Sequence, residues 1–384
     1  MSIFLNYSTM RIYTLLVLCA LALTGCRSSE PMMAPPLPSG GNTGPVVSAS
    51  NPMNAMPEGA KPSWAPSIDP QMHAVVEQLM AFEQPGFADM TAFQARMAKT
   101  PTNAVMELMM KTGHGPMPPA VDIAHKLLPV GPDDGILVRT YTPLSGSGPR
   151  PVVVYYHGGG WVIADLDTYE ASAIALAKMT GAVVVSVAYR QAPEHRYPAA
   201  HMDAFDAYRW VTQHAAQIGG DPSRIAVAGE SAGGNLAVSV AMMAREQNVM
   251  MPKHILSVYP VADQDVQSPS YNQYADALPL NRPGMQWFFD NYAPDWKTQM
   301  HEYLDLTSAD FSGFPPTTII NAQIDPLASE GMELADKMRA DGVDVQHREF
   351  AGVTHEFFGM AAVLEQAVQA QTMASDRLKA SLMR

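Results

Sequence analysis

Three side chains in the second half of the sequence have the types needed for nucleophilic catalysis: Ser231, Asp325 and His355. Ser231 lies in Gly229-Glu230-Ser231-Ala232-Gly233, which matches the pattern G-x-S-x-G. This pattern is typical of a strained turn between a strand and a helix, where the flanking glycines leave room for a projecting serine hydroxyl. The alternative is a tight turn with an incidental serine. A strand-like run at 224–228 before the turn and a helical pattern after it favour the interpretation of Ser231 as a nucleophile.

The order serine, acid, histidine along the chain is the one expected for such a turn. Asp325 comes three residues after the apolar run 317–322, and His355 comes five residues after the run 344–350. We predict that His355 takes the proton of Ser231 as a general base, and that Asp325 holds the imidazole tautomer and stabilises the imidazolium. The other acidic residues considered for this role are Asp263 and Glu330.

A glycine-rich segment, His157-Gly158-Gly159-Gly160-Trp161, directly follows the apolar run 151–156. Glycines allow backbone N–H groups to approach a substrate oxygen closely. We predict that the N–H groups of Gly158 and Gly159, together with that of Ala232, form an oxyanion hole for a tetrahedral intermediate. A phosphate-binding loop is the alternative, but the required Lys-Ser/Thr pair does not follow the glycines. We interpret His157 as a support of the loop.

Strand-like and helical patterns alternate around these residues. Eight strand-like runs lie at 121–128, 135–141, 151–156, 182–189, 224–228, 254–259, 317–322 and 344–350, and helical patterns lie at 68–110, 169–179, 199–218, 232–246, 328–340 and 363–383. Continuous Val/Ile runs indicate strands that are buried on both faces. We therefore predict an α/β fold with a mostly parallel eight-stranded sheet flanked by helices, in which ligands bind at the carboxyl ends of the strands. The turn-like segment 131–134 predicts a hairpin of the first two strands.

The N-terminus has the pattern of an export signal. The apolar run 12–23 is too short to span a bilayer but fits a secretory signal. It ends in Leu23-Thr24-Gly25-Cys26, which looks like a bacterial lipobox, so we expect a signal peptide at 1–25 and lipidation of Cys26. An ordinary cleaved signal with a chance cysteine is the alternative. In the lipoproteins that this pattern resembles, an aspartate after the cysteine favours retention in the inner membrane. Arg27 stands at that position here, so the resemblance implies a lipid-anchored protein of the outer membrane that faces the periplasm.

A change of composition separates this signal from the folded part. Residues 31–66 contain nine prolines and only two charged residues, which predicts a disordered tether over 26–66 and a folded domain over 67–384. A partly ordered arm packed on the domain is the alternative.

The composition excludes several classes of function. The chain has 384 residues and a formal net charge of −13, so nothing in its charge favours nucleic acid as a partner. Its two cysteines, Cys19 and Cys26, both precede the expected domain, which rules out a cysteine nucleophile or a disulfide within that domain. We predict no cofactor and no metal.

Taken together, the motifs resemble the bacterial hormone-sensitive-lipase-like carboxylesterases of the α/β-hydrolase fold. The resemblance is carried by His157-Gly158-Gly159-Gly160, Tyr189-Arg190-Gln191-Ala192-Pro193-Glu194-His195, Gly229-Glu230-Ser231-Ala232-Gly233-Gly234-Asn235, Asp325-Pro326-Leu327 and His355-Glu356-Phe357-Phe358-Gly359-Met360. It implies short- to medium-chain acyl esters as small-molecule substrates, and members of the family often form homodimers through the last strand.

The resemblance also implies a helical cap, here at 67–115 and 261–310. The expected aromatic pocket residues of the second segment are Tyr271, Tyr274, Trp287, Phe288 and Phe289. Two departures from the family pattern stand out. Glu356 replaces the usual glycine after the catalytic histidine, which predicts a raised pKa of the base or an altered leaving-group preference. Trp161 replaces a smaller aromatic residue, which predicts a narrower pocket.

Two other functions are compatible with these motifs. The same three side chains could hydrolyse a different acyl bond, such as that of an arylformamide, a lactone or an acetylated sugar. A catalytically inactive ligand-binding protein on the same fold is the second alternative. The presence of serine, aspartate and histidine at all three positions favours the enzyme.

Overall fold

The computed structural model of the protein describes residues 55–115, 118–132 and 135–383, all within the second of two units of the chain, Ala49–Arg384. The expected signal peptide and Cys26 lie outside the described residues. Within the described part of the chain, no helix combines the length and the apolar character that crossing a membrane requires.

The central element is one eight-stranded sheet in the order β1-β2-β4-β3-β5-β6-β7-β8. Strand β1 pairs antiparallel with β2, β2 pairs antiparallel with β4, and all other neighbours are parallel. The predicted mostly parallel sheet and the predicted hairpin are therefore confirmed. The strands are β1 Val121–Leu128, β2 Ile136–Pro143, β3 Arg150–Tyr156, β4 Val183–Val187, β5 Gly220–Glu230, β6 Ile255–Val258, β7 Thr317–Ile324 and β8 Val345–Thr354.

Helices cover both faces of the sheet. They are α1 Pro70–Met80, α2 Ala92–Met97, α3 Pro101–Lys111, α4 Glu170–Thr180, α5 Ala199–His214, α6 Ala232–Glu246, α7 Pro269–Gln273, α8 Arg282–Tyr292, α9 Ala328–Ala340 and α10 Glu365–Leu382. In β3, Val152 and Val154 point into a core with α5, α6 and α9, whereas Val153 and Tyr155 point into a core with α1, α4 and α10. Because successive strand residues face opposite sides, both faces must be apolar, which explains the unbroken Val run.

The N-terminal helical region is divided into three helices. Thr91 caps α2 and Thr100 caps α3, each through a reciprocal pair of hydrogen bonds with the residue three positions later. Pro101 occupies the first turn of α3, where its missing N–H has no cost. The sequence pattern indicated one helical region over 68–110. In the structure, new helices begin after the N-caps Thr91 and Thr100, so this region is not one continuous helix.

The last dozen residues of the expected tether pack on the domain. The Glu77 carboxylate of α1 accepts hydrogen bonds from the backbone N–H of Glu58 and of Gly59, at 2.8 and 2.6 Å. Ala55 and Ala65 are buried. The folded part therefore begins before residue 67, because residues 58 and 59 donate backbone hydrogen bonds to the Glu77 side chain of α1.

Candidate active site

The strand order places the predicted site residues at one edge of the sheet. Strand β3 lies between β4 and β5, so the chain order reverses there, and ligands bind at such a switch point. The glycine-rich segment follows β3 and Ser231 follows β5. Asp325 directly follows β7 and His355 directly follows β8, because both strands extend further than the apolar runs indicated.

Ser231 occupies the tight turn that the glycine pattern predicted. Its φ is +56°, an uncommon value for a residue with a side chain, and β5 and α6 lie immediately before and after it. A Cβ atom on Gly233 would lie 2.0 Å from the carbonyl oxygen of Tyr156, and one on Gly229 would lie 2.1 Å from that of Gly233. Only glycine leaves space for the close approach of these backbones.

The three predicted catalytic side chains form one hydrogen-bonded chain. His355 Nε2 lies 2.9 Å from Ser231 Oγ, and His355 Nδ1 lies 2.6 Å from Asp325 Oδ2. The second carboxylate oxygen of Asp325 accepts the backbone N–H of Leu327, at 2.9 Å. All three side chains are buried, and Asp325 is completely inaccessible to solvent. The geometry is that of a serine nucleophile, a base and an orienting acid.

The surroundings of His355 favour its charged form. Burial by itself lowers the pKa of the imidazole, but Asp325 raises it through its charge and its hydrogen bond. Glu356 and Glu230 add smaller contributions in the same direction, so the pKa of His355 lies above its ordinary value. An imidazolium formed during a reaction is therefore stabilised at this site.

The other candidate acids have different partners. Glu330 is buried, and one of its carboxylate oxygens accepts the backbone N–H of Ala262 at 2.8 Å. Burial raises the pKa of Glu330 well above its usual value. The side chain of Asp263 accepts hydrogen bonds from the backbone of its own loop, from Gln264 and Asp265. Asp325 is thus the acid that the structure places on His355.

The glycine-rich loop lies over Ser231. Gly159 and Gly160 have φ values of +95° and +56°, and both line the same cavity as Ser231. Gly158 is buried behind them, and a Cβ atom there would lie 2.2 Å from the hydroxyl oxygen of Tyr169. The backbone of this loop can approach a bound ligand because no side chain intervenes.

His157 has the environment of a supporting residue. Its ring stacks on that of Tyr189 with 4.3 Å between centroids, and its Nδ1 lies 2.8 Å from the carbonyl oxygen of Gly158. Burial lowers the pKa of His157 to about 4, so the ring is neutral at pH 7. The Tyr189 hydroxyl also donates to the carbonyl oxygen of His157, at 2.8 Å. These contacts fix the loop.

Ser231 and His355 line a cavity of about 350 Å³. Segments 67–115 and 261–310 meet above it. The ring of Phe87 lies 5.2 Å from that of Phe288, and the indole Nε1 of Trp287 donates to the carbonyl oxygen of Met90 at 3.0 Å. The apolar lining consists of Leu79, Met80, Pro85, Phe87, Ala95, Ala98, Pro101, Ile163, Ala164, Leu278, Pro279, Leu280, Met285 and Phe288.

The predicted aromatic lining of this cavity was largely wrong. Of the five aromatic residues expected there, only Phe288 lines the cavity. Tyr271 and Phe289 are buried in the core, and the hydrogen bond of Trp287 to Met90 holds its indole against the N-terminal segment. The fully buried Trp161 stacks on Tyr292, with 4.7 Å between centroids, and so does not narrow the pocket as expected. On α8, Phe289 faces the core because each step along a helix rotates the side chain by about 100°.

Two carboxyl groups beside the site, the buried Glu230 and the largely buried Glu356, have tyrosine partners that the sequence did not reveal. The Tyr169 hydroxyl donates to Glu356 at 2.5 Å, and the hydroxyls of Tyr155 and Tyr259 both donate to Glu230. Burial raises the pKa of Glu230 to about 7. No spacing in the sequence connects these residues, because the partners come from different strands and loops.

Comparison with known proteins agrees with this geometry. A family model described as the alpha/beta hydrolase fold matches residues 153–359. Carboxylesterase NlhH of Mycobacterium tuberculosis is 36% identical over 322 residues, which cover 83% of this chain and 97% of that protein. An ethyl acetate hydrolase of Pseudomonas putida is 33% identical over 253 residues, or 64% of this chain and 78% of the relative.

A solved structure shows the same fold. The hyperthermophilic esterase of the archaeon Pyrobaculum calidifontis superimposes with a TM-score of 0.73 at 33% identity, and the match covers 82% of this chain and 98% of that one. The family model spans more than half of the 384 residues, and the sequence relatives match most of their own length. The chain therefore belongs to the alpha/beta hydrolase fold family, among its hormone-sensitive-lipase-like esterases.

Proposed function

We propose that this carboxylic ester hydrolase cleaves short- to medium-chain acyl esters through a covalent acyl intermediate on Ser231. The observation that carries the proposal is the chain of two hydrogen-bond distances, 2.9 Å from Ser231 Oγ to His355 Nε2 and 2.6 Å from His355 Nδ1 to Asp325 Oδ2. Such a chain activates a serine hydroxyl that is otherwise a weak nucleophile.

In the first half of the reaction, Ser231 Oγ attacks the ester carbonyl carbon while its proton moves to His355 Nε2. The resulting oxyanion accepts hydrogen bonds from backbone N–H groups of the glycine-rich loop, of which Gly159 and Gly160 line the cavity, and from the N–H of Ala232. Each such donor contributes about 2.7–4 kcal/mol in the transition state. The N-terminus of α6, which begins at Ala232, adds a favourable dipole. When the carbon–oxygen bond to the alcohol breaks, His355 returns its proton to that oxygen.

In the second half, a water molecule attacks the acyl carbon and gives its proton to the same Nε2 atom. Collapse of the second tetrahedral intermediate returns this proton to Ser231 Oγ and releases the carboxylic acid. The buried Asp325 keeps the Nδ1–H of the imidazole oriented in both halves. No metal or cofactor takes part in these steps.

The size of the cavity supports a preference for short acyl chains. Its volume of about 350 Å³ lies near the lower end for small-molecule sites. Helices α1 to α3 and the segment 261–310, which we propose as a cap, close it above Ser231. One relative is an ethyl acetate hydrolase, and ethyl acetate is a short ester.

We expect the full chain to hydrolyse p-nitrophenyl acetate and butyrate with kcat/KM on the order of 100-fold above the value for p-nitrophenyl palmitate, because a long acyl chain would remain partly outside the apolar cavity. Steady-state rates on acetate, butyrate, octanoate and palmitate esters measure this, with N-formylkynurenine as the test of an amide-type acyl bond. Equal or faster palmitate hydrolysis, or activity confined to N-formylkynurenine, would contradict the proposal.

We also propose that the protein is anchored in the bacterial cell envelope by lipid on Cys26, facing the periplasm from the outer membrane. The support is the sequence Leu23-Thr24-Gly25-Cys26 after an apolar run. We expect Cys26→Ser to lose incorporation of a radiolabelled fatty acid and to leave the membrane fraction, because one acylated cysteine supplies the whole anchor. Cys19→Ser is the matched control and keeps both properties. Retention of label by Cys26→Ser would exclude this anchor.

A further inference from the structure

Glu356 has an unusual backbone and an unusual position. It directly follows His355 and has a φ of +73°, a conformation that glycine adopts without strain and other residues adopt rarely. Its side chain is largely buried and lines the cavity of Ser231. One carboxylate oxygen lies 3.9 Å from His355 Nε2. Strained backbone conformations of this kind cluster at functional sites.

The side of the imidazole that Glu356 approaches is the reacting side. Asp325 occupies Nδ1, so the two carboxyl groups lie on opposite edges of the ring. Nε2 is the atom that faces Ser231 and that carries the transferred proton. A negative charge beside Nε2 therefore acts on the imidazolium where its proton is held.

Tyr169 connects Glu356 to the glycine-rich loop. Its hydroxyl donates to Glu356 Oε1 at 2.5 Å. The same hydroxyl oxygen lies so close to the loop that a Cβ atom on Gly158 would be 2.2 Å from it. Tyr169 itself is buried and precedes α4, whose packing on α10 fixes its position. The Tyr169 hydroxyl thus contacts Glu356, which lies beside His355, and also lies against Gly158 of the glycine-rich loop.

We propose that Glu356, held by Tyr169 against the oxyanion loop, is a positioning residue for His355 that stabilises the imidazolium in both halves of the reaction. This inference rests on the proposed function, because it requires His355 to be the base. It assigns a role to the position at which the resemblance described above implies glycine and this chain has Glu356.

Three carboxyl groups, Asp325, Glu356 and Glu230, act on the charge of His355. Asp325 faces Nδ1, Glu356 faces Nε2, and the ring of Tyr259 packs on the imidazole with 4.6 Å between centroids. Glu230, which accepts the hydroxyl of Tyr259, adds a smaller charge effect in the same direction as Glu356. The pKa of Glu356 lies above its usual value, because burial raises it and the His355 charge and the Tyr169 hydroxyl offset only part of that rise. In its ionised form Glu356 raises the pKa of His355 and so favours the protonated imidazole.

The test is Glu356→Gln, which keeps the size of the side chain and an oxygen that can accept from Tyr169, but removes the charge. We expect kcat to fall on the order of tenfold with KM changed less than twofold. The acidic limb of kcat/KM requires neutral His355. Because the variant has less negative charge near Nε2, this limb moves to lower pH, so the variant loses least activity at acidic pH.

A second variant keeps the proposal testable if Glu356→Gln is poorly folded. Tyr169→Phe removes only the hydroxyl, and we expect a smaller loss of kcat. In Glu356→Gln combined with Tyr169→Phe, the two losses are less than additive, because both changes act on one contact. Glu365→Gln, the same substitution at an exposed residue that begins α10, is the matched control and retains wild-type kinetics.

Labelling of each variant with a fluorophosphonate separates this inference from the proposed function. Wild-type protein that neither turns over esters nor becomes labelled would contradict the function itself. Active, fully labelled wild type together with a Glu356→Gln variant of unchanged kcat would overturn only the role of Glu356. A loss of kcat with an unmoved acidic limb in both variants would also overturn it, since that result indicates a merely structural contact.

Discussion

The Ser231→Ala enzyme is expected to retain no more than about 10⁻⁴ of the wild-type kcat on p-nitrophenyl butyrate, because the variant has no oxygen to form the acyl intermediate. What remains comes from the oxyanion hole and from binding alone. Among residues 55–383 that the structure describes, the Ser231 hydroxyl has a hydrogen bond to His355 alone, at 2.9 Å, so its removal costs the fold little stability. Steady-state kinetics and fluorophosphonate labelling measure the two effects.

The matched control is Ser145→Ala, which removes an exposed hydroxyl between β2 and β3, far along the chain from the predicted site. We expect this control to label and to turn over like the wild type. Near-native activity of Ser231→Ala in a preparation free of contaminating esterases would show that another residue is the nucleophile. The circular dichroism spectra and thermal midpoints of both variants establish that they are folded.

Asp325→Asn is expected to lower kcat on the order of 10⁴-fold at pH 7. The amide of the variant can donate to Nδ1 of His355, which leaves the proton on Nε2. In that tautomer Nε2 cannot accept the proton of Ser231, although the residues keep their places. Asp325 Oδ2 lies 2.6 Å from Nδ1, so it is the acceptor that keeps the proton on that nitrogen of His355. The pH–rate profile of kcat/KM, measured beside kcat at pH 7, checks the loss.

Asp263→Asn provides the comparison, because the sequence left Asp263 as an alternative acid and its carboxylate bonds only within its own loop and to Thr307. We expect its kcat to stay within about twofold of the wild type. If Asp263→Asn lost activity and Asp325→Asn kept it, the assignment of the acid would be reversed. The same outcome for both variants would point to a common effect on folding, which thermal denaturation would reveal.

Much of the core could be predicted from the sequence because its signals are local. The Val run 152–154 indicated a doubly buried strand, and the structure places its residues in two cores on opposite faces. The glycines of the turn at Ser231 were predictable for a similar reason. A side chain at Gly233 would clash with the backbone carbonyl of Tyr156, and a backbone carbonyl is present whatever residue occupies that position. Strand ends were less accurate, because β7 and β8 continue past a register shift after Ala322 and pair again at Ile324 and Thr354, and this pairing exists only in the assembled sheet.

The orientation of the aromatic side chains could not be predicted from the sequence. The insertion 261–310 contains enough aromatic residues for a pocket, but composition does not say which face of a helix meets the ligand. Phe288 points to the cavity and the neighbouring Phe289 is buried in the core, since one residue along a helix rotates the side chain by about 100°. The packing of α8 against Phe87 and Met90 decides between the two faces.

The sequence by itself determined the nucleophile turn, the glycine-rich loop, the order of acid and base, and the alternating pattern that makes a parallel sheet, because each depends on a short stretch of chain and on chemistry that tolerates few residue types. Only the tertiary structure decided that Asp325 and not Asp263 reaches His355, and that Tyr169 joins Glu356 to the glycine-rich loop. Tyr169 and Glu356 are 187 residues apart, and a contact over that distance exists only once the sheet has brought the ends of its strands together.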